Sequence, residues 1–295
     1  NAFIYIYLVN SFSRLTDVSV FVGDLAGTLH RVVELFELLG FDRGQQNSAF
    51  IQENPESVAV TSLMTTTREE CIYRLQGVSY SLPTDPNYRL MEGLTITINT
   101  GRNLLVTGQS SSGKTSLLRV LAGFWDIDSG MLERKLASNR SVYLPQKPYF
   151  PCGKLTLRQQ IHYPRRLLPN GIIDHTENAR IGDLLKSLKL DDMIARCGGL
   201  DTPVEWDWQE TLTPGEQQRL TIVRVLYRKP AIAILDEATS SVSSDCEADI
   251  YRLLRANGIT FVSAGHRPSL LQFHEIELHL DGKTGYTIKE LASNT

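Results

Sequence analysis

The sequence predicts an α/β fold with a mostly parallel core sheet, and three observations carry that prediction. Short apolar runs at Leu104 to Val106, Ala231 to Leu235 and Ile259 to Ser263 have the length and bounding turns of buried strands. Segments of helical periodicity separate them, the alternation expected of a parallel sheet with crossover helices. The composition is that of a globular chain: 295 residues, 42% hydrophobic and 21% charged.

The N-terminal elements come first. The chain begins at Asn1 and reads as a piece of a longer protein. Ala2 to Val9 is apolar but gives way to Asn10, Ser11 and Arg14, well short of the roughly 20 apolar residues of a spanning helix. No basic segment precedes it, so it is a poor signal peptide. It is either a soluble start or the last turns of a spanning helix. From Phe12 to Leu39 apolar residues recur at helical spacing, with charges mostly between them, predicting a long amphipathic helix that ends near Gly40. Gly44 to Pro55 is rich in Gln, Asn, Ser and Pro and reads as linker. The expected organisation is 1–43, helix; 44–69, linker; 70–295, α/β domain.

Within that domain Ile72 to Leu82 and Leu94 to Ile98 alternate apolar and polar residues around a turn at Pro83 to Asn87, predicting antiparallel strands. Leu104 to Val106 then runs into a Gly/Ser loop and a helix from Thr115 to Ala122, and a further strand ends at Pro145. The formal net charge of −3 argues against a basic groove, so no nucleic-acid partner is expected. Cys71, Cys152, Cys197 and Cys246 show no paired spacing, which fits a reducing compartment better than a disulfide scaffold or structural zinc.

Gly108-Gln109-Ser110-Ser111-Ser112-Gly113-Lys114-Thr115, followed by Ser116, matches G-x-x-x-x-G-K-[ST] between a strand and a helix. Glycines there let backbone N–H groups wrap phosphate oxygens, and the helix N-terminus adds its positive dipole. Lys114 would bridge the outer phosphates of a nucleoside triphosphate and the Thr115 hydroxyl would ligate Mg2+. The strand Ala231 to Leu235 ends in two carboxylates. Asp236 is placed to hold Mg2+, and Glu237 to polarise an attacking water.

Leu212-Thr213-Pro214-Gly215-Glu216-Gln217-Gln218-Arg219 precedes that strand. Here the sequence resembles the ATP-binding cassette family, whose signature begins Leu-Ser-Gly-Gly-Gln. Gln146 after Val142 to Leu144, His266 after Ile259 to Ser263, and the order of all five elements agree with it. The resemblance implies a P-loop NTPase cassette that binds ATP and Mg2+, with a mixed core sheet, an antiparallel β subdomain and a helical signature subdomain, preceded by a long helix. It implies that Gln146 lines the metal and couples to the membrane partner, and that His266 contacts the γ-phosphate. It also implies that Thr213, Pro214, Gly215 and Glu216 meet ATP held by a second cassette in a head-to-tail dimer. Pro214 replaces a glycine and lacks an N–H, and Glu216 replaces a glutamine.

Leu144-Pro145-Gln146-Lys147-Pro148-Tyr149, Trp125, Asp207-Trp208 and His266-Arg267-Pro268-Ser269-Leu270 resemble subfamily D, the peroxisomal and lysosomal half-transporters. Lys114 to Leu121, Thr213 to Glu216, and Arg14-Leu15-Thr16-Asp17 with Ala26-Gly27 and His30-Arg31 look nearer its cobalamin-transporting branch; Gln217-Gln218 also looks like bacterial relatives. The resemblance implies an ATPase that drives a small molecule across an organelle membrane, lysosomal or peroxisomal, with cobalamin favoured over fatty acyl-CoA. A bacterial inner-membrane relative is the alternative. The partners implied are a second half-transporter, identical or not, and the membrane through an N-terminal transmembrane domain outside this sequence. Ala2 to Val9 then becomes the tail of the last spanning helix. Many cassettes stack adenine on an aromatic where Leu82 stands here, so Tyr163 is the expected substitute, with Tyr80 behind it. Ser243 replaces an aspartate usual in the loop Ser240 to Asp245. A soluble cassette acting on chromosomes or ribosomes would carry long coiled coils or paired cassettes, and no heptads appear. A degenerate regulatory cassette is opposed by intact Glu237 and His266.

Overall fold

A computed structural model describes residues 70–136, 140–164 and 175–291, together with Leu29. The chain divides into two units, Asn1–Thr65 and Thr66–Thr295. The helix, apolar stub and linker expected before residue 70 lie outside the described residues. Among the described residues no helix is long and apolar enough to cross a membrane.

The second unit holds two sheets. Strands β1 (Cys71–Leu82), β2 (Asp85–Asn99) and β4 (Ser129–Arg134) form an antiparallel sheet in the order β2-β1-β4. The turn expected over Pro83 to Asn87 is tighter: Leu82 pairs with Asp85, leaving Pro83 and Thr84 as a two-residue connection. Strands β3 (Leu104–Gly108), β5 (Ser141–Leu144), β6 (Ile232–Asp236), β7 (Thr260–Ala264), β8 (Ile276–Leu280) and β9 (Tyr286–Glu290) form the core sheet in the order β5-β6-β7-β3-β8-β9. All neighbours are parallel except β9, which returns antiparallel along β8. The core sheet is therefore mixed.

Strand periodicity divides the core in two. On one face Leu104, Val106, Ile232 and Ile234 pack with helix α1 (Lys114–Ala122) and the antiparallel sheet. On the other Leu105, Ala233, Leu235 and Phe261 pack with helices α2 (Leu157–His162), α3 (His175–Ser187), α4 (Met193–Arg196), α5 (Trp208–Thr211), α6 (Pro214–Arg228) and α7 (Ser244–Ala256). Residue-by-residue alternation explains why these strands read as uninterrupted apolar runs: both faces are covered.

Local chemistry sets the helix ends. At the end of α1, Gly123 is left-handed, its N–H donates to Val120 O and that of Phe124 to Arg119 O, closing the last carbonyls. Helix α6 begins at an N-cap, Thr213, with Pro214 in its first turn, and stops at Lys229, left-handed with φ 48° and followed by Pro230. The buried guanidinium of Arg224 on α6 donates to Gln160 O, Gln160 Oε1 and Tyr149 O, tying α2 and the segment after β5 to α6. Burial pulls its pKa down to about 10.

Candidate nucleotide site

The C-terminal ends of β3, β5, β6 and β7 carry the site, as expected for an open α/β sheet. The loop after β3 is shaped by backbone geometry. Gly108 has φ 143°, and a Cβ there would lie 2.6 Å from Leu280 O, so only glycine fits. Ser111 is left-handed (φ 64°), as is Gly113 (φ 93°), the N-cap of α1, which offers no side-chain acceptor to the first amides of the helix. Those amides are the groups that bind an anion. Lys114 Nζ folds back over the loop and donates to Gly108 O at 3.1 Å and Gln109 O at 2.9 Å. Burial lowers the Lys114 pKa, while the charges of Glu237 and Asp236 oppose that effect. Ser110 and Ser116 flank this segment, and the buried Ser112 hydroxyl inside it has no hydrogen-bond partner.

Asp236, 4% exposed at the end of β6, accepts from two neutral hydroxyls: Thr115 Oγ1 at its Oδ1 and Tyr143 OH at its Oδ2, both at 2.9 Å. Burial first, then the charge of Asp236, pushes the Tyr143 phenol up to about 12, so it stays a donor. Glu237 follows with φ 49°, a strained backbone for a non-glycine residue. Its carboxylate is gripped from both sides. Gln146 Nε2 donates to Oε2 at 2.9 Å, and His266 Nε2 lies 3.2 Å from Oε1. His266 also borders a cavity with Gly108 and Gln109. The structure thus unites Gly108, Gln109, Lys114, Thr115, Gln146, Asp236, Glu237 and His266.

The signature segment is organised as a helix cap. Thr213 Oγ1 accepts from Glu216 N at 3.3 Å, while Glu216 Oε2 accepts from Thr213 N at 2.8 Å and Thr213 Oγ1 at 2.9 Å. Arg196 pairs with the other Glu216 oxygen. Partial burial alone would raise the Glu216 carboxyl, but the Thr213 bonds and Arg196 together hold it below the usual carboxylate value. A Cβ at Gly215 would lie 3.0 Å from Ser241 O. Among the described residues no hydrogen bond joins Thr213 to Glu216 with the phosphate loop of the same chain.

Tyr163 lies apart from the residues gathered above. It ends α2 and lines a cavity with Tyr149, Pro145, Pro148 and Arg224, none of them from the phosphate loop, and it packs on Tyr149 with ring centroids 5.6 Å apart. Its ring therefore packs on the helical side of the domain. Tyr80 is fully buried in the antiparallel sheet. Ser243, where an aspartate was expected, caps α7 by accepting from Cys246 N at 3.4 Å.

Three contributors were missed. Tyr143 lies inside the strand Val142 to Leu144, where no local pattern marks it. Gln218 is 2% exposed, accepts from Ser241 N at 2.8 Å, and turns its amide toward Ser240 Oγ (3.1 Å) and the carbonyls of Gln146 and Glu237 (3.5 Å each). Arg267 donates to Ser240 O and Val242 O, both at 3.0 Å, and so fixes the turn that bears His266. For Gln218 the available signal was a polar doublet on the buried side of an amphipathic helix.

Comparison with known proteins places the chain in a family. The ABC transporter family profile matches residues 91–240. The chain is 39% identical over 287 residues to the lysosomal cobalamin transporter ABCD4 of Mus musculus, covering 96% of this chain and 46% of the relative. It is 33% identical over 280 residues to ATP-binding cassette sub-family D member 3 of Mus musculus, covering 92% and 41%. The chain thus spans less than half the length of these relatives. A bacterial Atm1-family ABC exporter solved with ATP bound shares the fold, with TM-score 0.62, 24% identity, and coverage of 77% of this chain and 40% of that one.

Proposed function

This chain belongs to the ABC transporter family, and we propose that it supplies the ATP-hydrolysing cassette of a half-transporter that moves a small molecule across an organelle membrane. The observation that carries the reading is the Glu237 carboxylate, held between Gln146 and His266 beside the phosphate loop. A cassette kept only for binding has no use for a general base positioned from two strands.

The residues divide the work. The α1 amides and Lys114 bind the β- and γ-phosphates. Glu237 orients and deprotonates the attacking water, and His266, bordering the same cavity as Gly108, supports it and meets the γ-phosphate. Mg2+ fits the donors present: Asp236 is buried among neutral hydroxyls with no ion pair among the described residues, and Thr115, Asp236 and Gln146 offer the hard oxygens that cation prefers. When bound it would neutralise charge developing on the phosphates. In a head-to-tail dimer, Thr213, Pro214, Gly215 and Glu216 of one cassette would cap ATP held by the other. The capping box occupies the Glu216 amide with Thr213 Oγ1 and Pro214 has no N–H to give, which leaves the Gly215 amide at the helix start as the phosphate-facing donor.

The similarity to a lysosomal cobalamin transporter favours a cobalamin-like cargo, with fatty acyl-CoA next, and a lysosomal or peroxisomal membrane. A bacterial inner-membrane home is the alternative. The test is the full-length protein in vesicles, assayed for phosphate release with and without Mg2+ and cobalamin. Magnesium-dependent release raised by cobalamin is expected. Bound ATP with no phosphate release would reduce the chain to a regulatory cassette, and indifference to cobalamin would redirect the search to acyl-CoA.

A further inference from the structure

We propose that Tyr143 is a positioning residue for the divalent cation of the nucleotide site, its phenol fixing the plane of the Asp236 carboxylate. The inference rests on the reading of Asp236 as the metal-holding carboxylate and adds to it a residue from a different strand.

Asp236 ends β6, and its two oxygens are each held by one neutral donor. Thr115 Oγ1 reaches Oδ1 from the start of α1, and Tyr143 OH reaches Oδ2 from β5. The two donors come from elements on different sides of the carboxylate, so together they oppose rotation about the Cβ–Cγ bond. A neutral donor orients a carboxylate without cancelling its charge, and each oxygen keeps lone-pair capacity for a cation or a water bound to it. An arginine or lysine in the same place would compete with the metal.

Tyr143 is itself braced. Phe124 packs edge-on against its ring, with centroids 5.1 Å apart at 80°, and the nearby Arg119 opposes the burial and the Asp236 charge that raise the phenol pKa. Arg119 in turn sits over the Trp125 ring at 5.4 Å. The phenol donates to Asp236 Oδ2, so the packed ring holds its donor on that oxygen. Parallel pairing of β5 with β6, Tyr143 opposite Ile234, puts the ring two residues from the strand end where Asp236 stands. The same ring lines the cavity that holds Tyr149, Tyr163 and Arg224, so Tyr143 lies between that cavity and the metal carboxylate.

Partners of this kind, one step removed from the metal, are worth about 10- to 100-fold in metal affinity elsewhere. The experiment compares wild type, Tyr143→Phe and Phe124→Leu in the full-length protein. Mn2+ binding is read by electron paramagnetic resonance in the presence of ATP, and ATP binding is read separately in EDTA with a fluorescent analogue. Tyr143→Phe keeps the ring and removes one oxygen. It is expected to weaken Mn2+ binding about tenfold or more, with metal-free ATP affinity unchanged. Phe124→Leu loosens the ring packing but keeps the phenol, and is expected to weaken Mn2+ binding by less than Tyr143→Phe does. Wild-type Mn2+ affinity in Tyr143→Phe, or an equal loss in Phe124→Leu, would overturn the proposal. Absence of Mn2+ binding by the wild type would overturn the reading of Asp236, and this inference with it.

Discussion

His266 and Glu237 face each other across the ends of two neighbouring strands, with Nε2 3.2 Å from Oε1. Glu237 follows β6 and His266 follows β7, and β6 pairs with β7 in register through Asp236 and Ala264. The contact is therefore set by the sheet rather than by loop flexibility. Gln146, after β5 on the far side of β6, holds the second oxygen. Three consecutive strands of the sheet thus aim one carboxylate, which is the rigidity a general base needs.

Replacing Glu237 by Gln keeps the shape and both neighbours but removes the base. ATP binding should be retained, because Lys114 and the loop are untouched, while phosphate release falls by roughly 10²–10⁴-fold. His266→Ala should also slow turnover, by less, since Glu237 remains. Nucleotide binding and phosphate release measured side by side separate the two steps. Wild-type turnover in Glu237→Gln would show that another group activates the water.

Gly108→Ala tests the shape of the loop. The added Cβ would stand 2.6 Å from the Leu280 carbonyl and 2.5 Å from Ser112 Oγ, at a φ of 143° that side chains avoid. Strain of that kind costs about 1–3 kcal/mol, or about five- to 140-fold in ATP affinity if it falls on the binding geometry. Equilibrium binding of ATP is the measurement, and an unchanged dissociation constant would show that the loop shifts without loss.

Gln218→Leu tests the link between the signature helix and the catalytic loops. The Ser241 N–H would lose its acceptor at a part-buried position, a loss worth about 1–3 kcal/mol. Thermal unfolding should report that destabilisation. Phosphate release should fall further than ATP binding, because Gln218 touches the carbonyls of Gln146 and Glu237 and not the phosphate loop. Equal losses in both would assign Gln218 to stability alone.

What the sequence disclosed depended on how far each relationship reaches along the chain. Lys114 and Thr115 follow a strand within one loop, and Asp236 and Glu237 follow one apolar run, so local spacing was enough. Gln146 and His266 were placed by family resemblance, since no local pattern marks a lone glutamine or histidine. Tyr143 was invisible because its role arises from β5 lying beside β6, an order that skips far along the chain. β4 was missed because Ser129–Arg134 is an edge strand with mostly exposed side chains and no apolar alternation. The setting of Tyr163 was not legible either, because it depends on α2 packing with α6 through Arg224, a contact between segments far apart in sequence. The cap that Thr213 forms on α6 was also unread, although its Thr-x-x-Glu spacing is local.

His274 makes the fold acid-sensitive. The ring is 2% exposed, packed edge-on against Phe261 and Tyr251, with Nδ1 2.7 Å from Leu270 O and Nε2 without a partner. Burial drives its pKa down to about 4, the Leu270 carbonyl opposes that effect, and the nearby Arg255 charge adds to it. Above an unfolded-state value of about 6.5 the ring is neutral in both states and carries no pH dependence. As the pH falls from there toward 4, the unfolded chain takes up a proton that the native chain refuses, so stability falls with pH throughout that window. The loss should reach on the order of 3 kcal/mol near pH 4, since each tenfold drop in proton affinity is worth about 1.4 kcal/mol. His274→Asn can keep an N–H toward Leu270 O and removes the titration. Denaturant unfolding at a series of pH values should therefore give a steeper acid decline for wild type than for His274→Asn. Parallel curves between pH 6.5 and 4 would show that the imidazole gains its proton without opening the core between α7 and the sheet.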